Sequence, residues 1–277
     1  MHRKPVAAAF SGLLALTISL PVLAADIDTF KGLSGKLDIA GGTAHIPVVQ
    51  DIARQVSKSN PAIRISVTGG GSGVGVQKVG EGLVDIGSTG RKVSAEEIAR
   101  YQLKPFHFAL DGVAVAVHPS NPVKDISLEQ LRDVFSGKTS NWKALGGADA
   151  PIHLYGRDEA SATREVFVGK VLGKDTAPAA KTTLVSSNGA AKSAIARDKG
   201  AIGYLGMGML DQSIKPLSVG GHAPTQQNAL SGDYPIVRGL YFNTKGEPAA
   251  LPAAFLRYLK TNEGQAIIRN HGYIPAF

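Results

Sequence analysis

The run Gly156-Arg157-Asp158-Glu159-Ala160-Ser161-Ala162-Thr163-Arg164-Glu165-Val166-Phe167 brings a guanidinium and two hydroxyls together just where a loop turns into a helix. Such a set suits an oxyanion. The first turn of a helix leaves backbone N–H groups without intrahelical partners and carries a partial positive charge. Ser161 and Thr163 add hydroxyl donors. Arg157 offers a planar fork of N–H groups, which Glu159 could clamp. The competing reading is an ordinary helix start, with Ser161 capping its own helix.

Two further stretches repeat the theme. Gly69-Gly70-Gly71-Ser72-Gly73-Val74-Gly75 follows the alternating run Ile63-Arg64-Ile65-Ser66-Val67, and Gly41-Gly42-Thr43-Ala44 follows Leu37-Asp38-Ile39. Each sets small residues and one hydroxyl between a strand pattern and a helix pattern, where bare backbone can approach a ligand. Three hydroxyl-bearing strand-to-helix corners in one chain point to one small anion held by several loops.

At these residues the chain resembles the periplasmic phosphate-binding proteins of the high-affinity phosphate ABC transporter, a family of type II solute-binding proteins. The resemblance spans nearly the whole chain after the first two dozen residues. Besides the three corners it rests on Val84-Asp85-Ile86-Gly87-Ser88, Val134 to Trp142, Gly200-Ala201-Ile202-Gly203-Tyr204 and Gly272-Tyr273-Ile274-Pro275. It implies two α/β lobes, each a mixed and mostly parallel sheet flanked by helices, closing over one phosphate. The first lobe would bind it through Thr43, the Ala44 amide, Ser72 and Gly73. Arg157, Ser161, the Ala162 amide and Thr163 would bind it from the second.

Two positions depart from the family pattern. Ala162 replaces a usual glycine, which is harmless where only its N–H is used. Gly90, followed by Arg91, stands where an acidic acceptor is usual. A carboxylate there rewards the proton that phosphate carries near neutral pH and repels sulfate, which has none. Asp111, at the start of the strand expected to cross between lobes, either replaces that acceptor or caps a turn before Gly112.

Composition fits a secreted binding protein. In Met1–Ala24, His2-Arg3-Lys4 precedes an apolar stretch and then Val22-Leu23-Ala24, the order of a secretory signal cut after Ala24. The apolar run falls short of the roughly 20 residues of a membrane span. With no cysteine, the chain offers no disulfide, thiolate metal site, cysteine nucleophile or lipid-anchoring Cys. This reads as a periplasmic protein that is not a lipoprotein. A formal charge of +8 favours anionic partners without choosing among them.

Other chemistries lack their residues. The Gly69–Gly75 loop has no G-x-G-x-x-G register, and Gly137-Lys138-Thr139 lacks the earlier glycine of a P-loop. Neither Ser72 nor Ser161 has a nearby base or sits in a G-x-S-x-G elbow. His45, His107, His118 and His153 show no metal spacing and read as structural. Aromatics are few and no basic run interleaves with them, against nucleic acid. No catalytic residue, cofactor or metal is expected.

Alternating strand and helix patterns from Leu37 onward give the α/β class. Helices are expected at Ala44–Ser57, Val74–Glu81, Ala95–Tyr101, Ser127–Phe135, Ser161–Leu172, Ala190–Asp198, Ala250–Lys260 and Glu263–Asn270. Phe108–His118 is the crossing strand and Ile236–Asn243 the return. The expected lobes are 25–111 with 237–277, and 112–236. The expected function is a monomeric receptor that captures inorganic phosphate and delivers it to the permease of an ABC transporter. The alternatives are another tetrahedral oxyanion such as sulfate, or a non-transport surface protein binding anionic partners. Arg157 is the one full positive charge placed at the ligand.

Overall fold

The computed structural model describes residues 26–277, and the segment read as a secretory signal, Met1–Ala24, lies outside them. The first half runs β1 (Gly35–Gly41), α1 (Ile46–Ser59), β2 (Ile63–Thr68), α2 (Ser72–Gly80), β3 (Ile86–Thr89), α3 (Ala95–Tyr101) and β4 (Leu103–Val117). There follow β5 (Asp125–Ile126), α4 (Leu128–Phe135), β6 (His153–Arg157), α5 (Ala162–Phe167), β7 (Thr183–Val185), α6 (Asn188–Arg197) and β8 (Ala201–Gly206). The rest is β9 (Lys215–Pro216), β10 (Ser218–Val219), α7 (Gln226–Ser231), β11 (Val237–Lys245), α8 (Ala250–Tyr258), α9 (Asn262–Asn270) and β12 (Ile274–Pro275).

One curled sheet carries both lobes, in the order β2-β1-β3-β11-β4-β8-β6-β7, with β12 and β9 also paired to β4. β1 is parallel to β2 and β3, and β6 is parallel to β7 and β8. β4 and β11 run antiparallel through the middle. Along its first part β4 pairs with β11, and along its last five residues with β8, so one strand belongs to both lobes.

Each lobe builds its own core. α1 lays Val48, Val49, Ile52 and Val56 against Leu37, Ile39, Phe108, Leu240 and Phe242, all buried. On the other side Val113, Val115 and Val117 of β4 meet Leu131, Phe135, Trp142, Phe167 and Tyr204. Phe167 stacks on Tyr204 with ring centroids 4.0 Å apart, which fixes α5 against β8.

Two elements differ by more than a few residues from the bounds expected from sequence. β4 begins at Leu103 rather than near Phe108, because β11 supplies ladder partners as far as Lys245 opposite Leu103. The helix expected over Ser161–Leu172 is α-helical only to Phe167; the next five residues form a wider π-turn, and Gly173, at φ 74°, ends it. Among the described residues, no helix is long and apolar enough to cross a membrane.

Candidate functional site

The ends of β1 and β6, and the starts of α1, α2 and α5, converge on one cavity. Its lining includes Gly42, Thr43, Ala44, His45, Gly71, Ser72, Gly90, Arg157, Ser161, Ala162, Thr163 and Arg238. The cavity is small: about 10 Å³ is open to the centres of water-sized groups, near the minimum for a single such sphere. That admits one compact polyatomic ion and no organic substituent.

The first-lobe corners are stitched together by backbone. Gly42 N donates to Ser88 O at 2.8 Å and Gly71 N to Gly41 O at 2.9 Å. Gly41 holds φ 129°, and a Cβ there would meet the Gly75 Cα at 2.8 Å, so only glycine lets these corners approach. Ser72 opens α2, and its Oγ accepts from Gly90 N at 2.9 Å.

Arg157 closes β6 and is 1% exposed. Its amide donates to the Tyr204 hydroxyl at 3.2 Å. Its Nε donates to Val185 O at 2.9 Å and its Nη2 to Ser186 O at 3.0 Å, while the buried Nη1 has no hydrogen-bond partner. The guanidinium is therefore clamped by two carbonyls at the end of β7, leaving one terminal nitrogen for a ligand. Glu159, offered from sequence as the clamp, is exposed and takes no part. Burial lowers the Arg157 pKa below its ordinary value, opposed by Asp158.

The four hydroxyls share one arrangement. Thr43 Oγ1 accepts from Asn188 N at 3.3 Å and Nδ2 at 3.0 Å. Ser161 Oγ accepts from Arg164 N at 3.3 Å, and Thr163 Oγ1 accepts from Arg238 Nη1 at 2.7 Å. With Ser72 accepting from Gly90, each oxygen already receives a protein hydrogen bond, so its own O–H remains to be donated. Ser161 thus both caps α5 and keeps a donor for the cavity, and the two readings of this residue are compatible. The Ala162 and Thr163 amides add the unpaired N–H groups of a helix start.

Arg238 was not expected at the site. It stands on β11, is 6% exposed, and faces Asp111 directly in the β4–β11 ladder. Its Nε and Nη2 donate to Asp111 Oδ2 at 2.9 and 2.7 Å, and Met207 N donates to Oδ1 at 3.0 Å. Burial pushes the Asp111 carboxyl up, and the Arg238 charge pulls it back. Three N–H donors on the two oxygens are the partners of an ionised carboxylate. Asp111 lies behind Arg238 rather than on the cavity wall, because the guanidinium occupies the space between. The sequence does hold a signal for this pair: Asp111 interrupts the apolar run around Val113–Val117 and Arg238 stands among apolar residues of a strand that must neighbour it.

One other expected residue, Gly73, is also placed differently, and Arg91, which follows Gly90, stays outside the site. Gly73 N donates to Ala160 O at 3.2 Å, an interlobe bond, and Gly73 is not on the lining. Arg91 is held outside the cavity by Glu97, at 2.8 and 2.7 Å, and its Nε lies 2.8 Å from Glu165 Oε2. His45 is fully buried with Nδ1 near Gly42 O and Nε2 near Tyr241 O, both at 3.1 Å. Burial, then the Arg238 charge, lowers its pKa to about 3. It is a neutral structural group at neutral pH. Among the described residues no cluster of three or more His, Cys, Asp or Glu is placed to hold a metal.

Fold and cavity together define a two-lobed binding protein with an anion site in its cleft. A family described as the PBP superfamily domain matches residues 29–263. The phosphate-binding protein PstS of Bacillus subtilis is 41% identical over 256 residues, covering 90% of this chain and 84% of that protein. Among solved structures, a putative phosphate ABC transporter substrate-binding protein with bound phosphate from Clostridium perfringens superposes with TM-score 0.83 at 31% identity, covering 88% of this chain and all of that one. An ABC-type phosphate transport receptor from Vibrio cholerae gives TM-score 0.69 at 28% identity, covering 86% of this chain and 99% of that one. The chain belongs to the PBP superfamily and, within it, to the family of phosphate-binding proteins that these relatives represent.

Proposed function

We infer that this protein is the solute-binding component of an ABC transporter for phosphate, capturing one phosphate in the cleft. The observation that carries this reading is the polarity of the cavity. Four hydroxyls are set to donate, Arg157 Nη1 is buried and unpartnered, and no carboxylate lines the wall. A surface made of donors holds an oxyanion and leaves a cation or a neutral amide unsatisfied. The names of the relatives favour phosphate among the oxyanions.

Binding works by bridging. Thr43, the Ala44 amide and Ser72 belong to the lobe assigned to 25–111 and 237–277, whereas Arg157, Ser161, the Ala162 amide and Thr163 belong to the lobe assigned to 112–236. An anion touching both sets stabilises the closed arrangement by the bonds it makes only there. Closure is the form a permease would recognise. The protein binds and releases its ligand unchanged; no residue of the cavity forms a nucleophile–base pair. Export through the Met1–Ala24 signal would place it in the periplasm as a monomer. Calorimetric titration of phosphate-stripped protein tests the reading, with one saturable site expected per chain. No heat with phosphate would refute it.

A further inference from the structure

We propose that Arg238, admitted by Gly90, is the specificity-determining residue of this site and that the cavity takes phosphate only as its dianion. The inference rests on the phosphate-binding reading and adds to it the protonation state that the wall selects.

Arg238 and a side chain at position 90 exclude each other. A Cβ on Gly90 would stand 2.8 Å from Arg238 Nη1, 3.3 Å from its Cζ and 3.4 Å from the Ala162 Cβ. An acidic side chain at this point would have to displace the guanidinium. Gly90 instead leaves the space to Arg238, whose Nη1 already donates to Thr163 on the cavity wall.

A guanidinium has five N–H groups and no acceptor. Three of them are engaged, two by Asp111 and one by Thr163. What faces the cavity beside Gly90 is therefore a donor where an acceptor would be needed for a ligand proton. Asp111 neutralises the charge of Arg238 from behind but cannot reach past it. Each proton on the ligand then has only the spare hydroxyl lone pairs of Ser72, Ser161 and Thr163 to donate to, and a buried O–H without an acceptor is disfavoured. The dianion carries one such proton and the monoanion two.

The charged and titratable groups around Arg238 do not confuse the test. They are Asp111 on β4, His45 before α1, Arg157 on β6 with Asp158 after it, Tyr204 on β8, and Tyr273 before β12. His45 titrates near 3, the two tyrosines are raised by burial, and Asp111 is ion-paired. Between pH 5.5 and 8.5 the group that changes is the ligand, whose second ionisation lies in that window.

Phosphate is titrated into the full protein at several pH values across this window, with sulfate, unprotonated throughout, as the comparison anion. The expected result is a phosphate Kd that weakens by about tenfold per pH unit on the acid side, the limit for a site that excludes one protonation state. Sulfate should compete for the site with an affinity that does not change with pH. Equal phosphate affinity at pH 5.5 and 8.5 would overturn the proposal while leaving the phosphate-binding reading intact. Absence of phosphate binding at every pH would remove the reading itself. The wild-type series needs no variant, and a second measurement uses Gly90→Asp combined with Arg238→Gln and Asp111→Asn, which restores an acceptor and removes the buried pair. In that variant the pH slope should flatten and sulfate should be lost. A slope as steep as in the wild type would show that Arg238 does not set it.

Discussion

Asn188 reaches across the cleft and donates twice to the Thr43 hydroxyl, from its backbone amide at 3.3 Å and from its side-chain Nδ2 at 3.0 Å. Thr43 stands in the corner after β1 and Asn188 at the start of α6, so the two bonds join the lobes where they enclose the cavity. Both bonds tie the two sides of the cleft together, and both orient the hydroxyl to donate to a ligand.

Thr43→Val keeps the shape but removes the ligand donor and the interlobe acceptor. Phosphate affinity is expected to fall by about 1–3 kcal/mol, the cost of leaving buried polar groups unpaired. Thr43→Ser should retain most of it. Calorimetry on the three proteins checks this, and full affinity in the valine variant would show that Thr43 does not touch the ligand.

Gly71 sits at the other lobe contact. It holds φ 89°, and an added Cβ would come within 2.5 Å of Ala160 O in the opposite lobe. Backbone strain from Gly71→Ala is present in open and closed forms alike, whereas the clash belongs to the closed form. Gly71→Ala should therefore weaken phosphate binding by about 1–3 kcal/mol, as for an overpacked contact. Small-angle scattering with saturating phosphate should show a wider molecule than wild type. An unchanged profile with unchanged affinity would contradict the contact.

Arg157 is clamped so that one nitrogen is left for the anion. Arg157→Ala is expected to weaken phosphate binding by about 2–5 kcal/mol, as when one partner of a buried charged pair is truncated. Arg157→Lys should restore only part of it, because an ammonium cannot hold Val185 O, Ser186 O and the ligand in one plane. Wild-type affinity in the alanine variant would place the anion elsewhere.

His45 gives a pH signature in stability. Its pKa falls from 6.5 to about 3 on folding, so between these values the unfolded chain binds the proton and the folded one does not. Stability from this group is complete above 6.5 and is lost as pH falls, by about 1.4 kcal/mol per unit. His45→Gln should flatten the acid limb of a denaturation-versus-pH curve relative to wild type. Parallel limbs in the two proteins would mean that His45 is not the group responsible.

The alternation of apolar strands and helices was legible in the sequence because both periods are local. The strand Ile63–Thr68 contains the alternating run read from Ile63 to Val67, set off by Asn60-Pro61, and Ala95–Tyr101 coincides with its expected bounds, since a Ser94–Glu97 capping box opens it. The three corners were legible because hydroxyls beside small residues mark a strand-to-helix turn. Arg238 was not, since its role depends on pairing with Asp111 across more than a hundred residues and on the absence of a side chain at Gly90. The clamp on Arg157 was misread for the same reason: Val185 O and Ser186 O are backbone atoms of a strand that only the sheet order brings alongside.

β4 runs unbroken from Leu103 to Val117, with lobe cores packed on each end of it, and β11 is laddered to it up to the crossing. Opening the cleft cannot be free rotation about a slack tether, since the connection is itself a piece of sheet whose hydrogen bonds resist shear. Such a connection would act as an elastic strip, returning part of the work done in bending it. Substitutions around Leu110, Gly112 and Gly239 would then act as changes of spring stiffness, altering how quickly the jaws open and shut while leaving the chemistry of the cavity untouched.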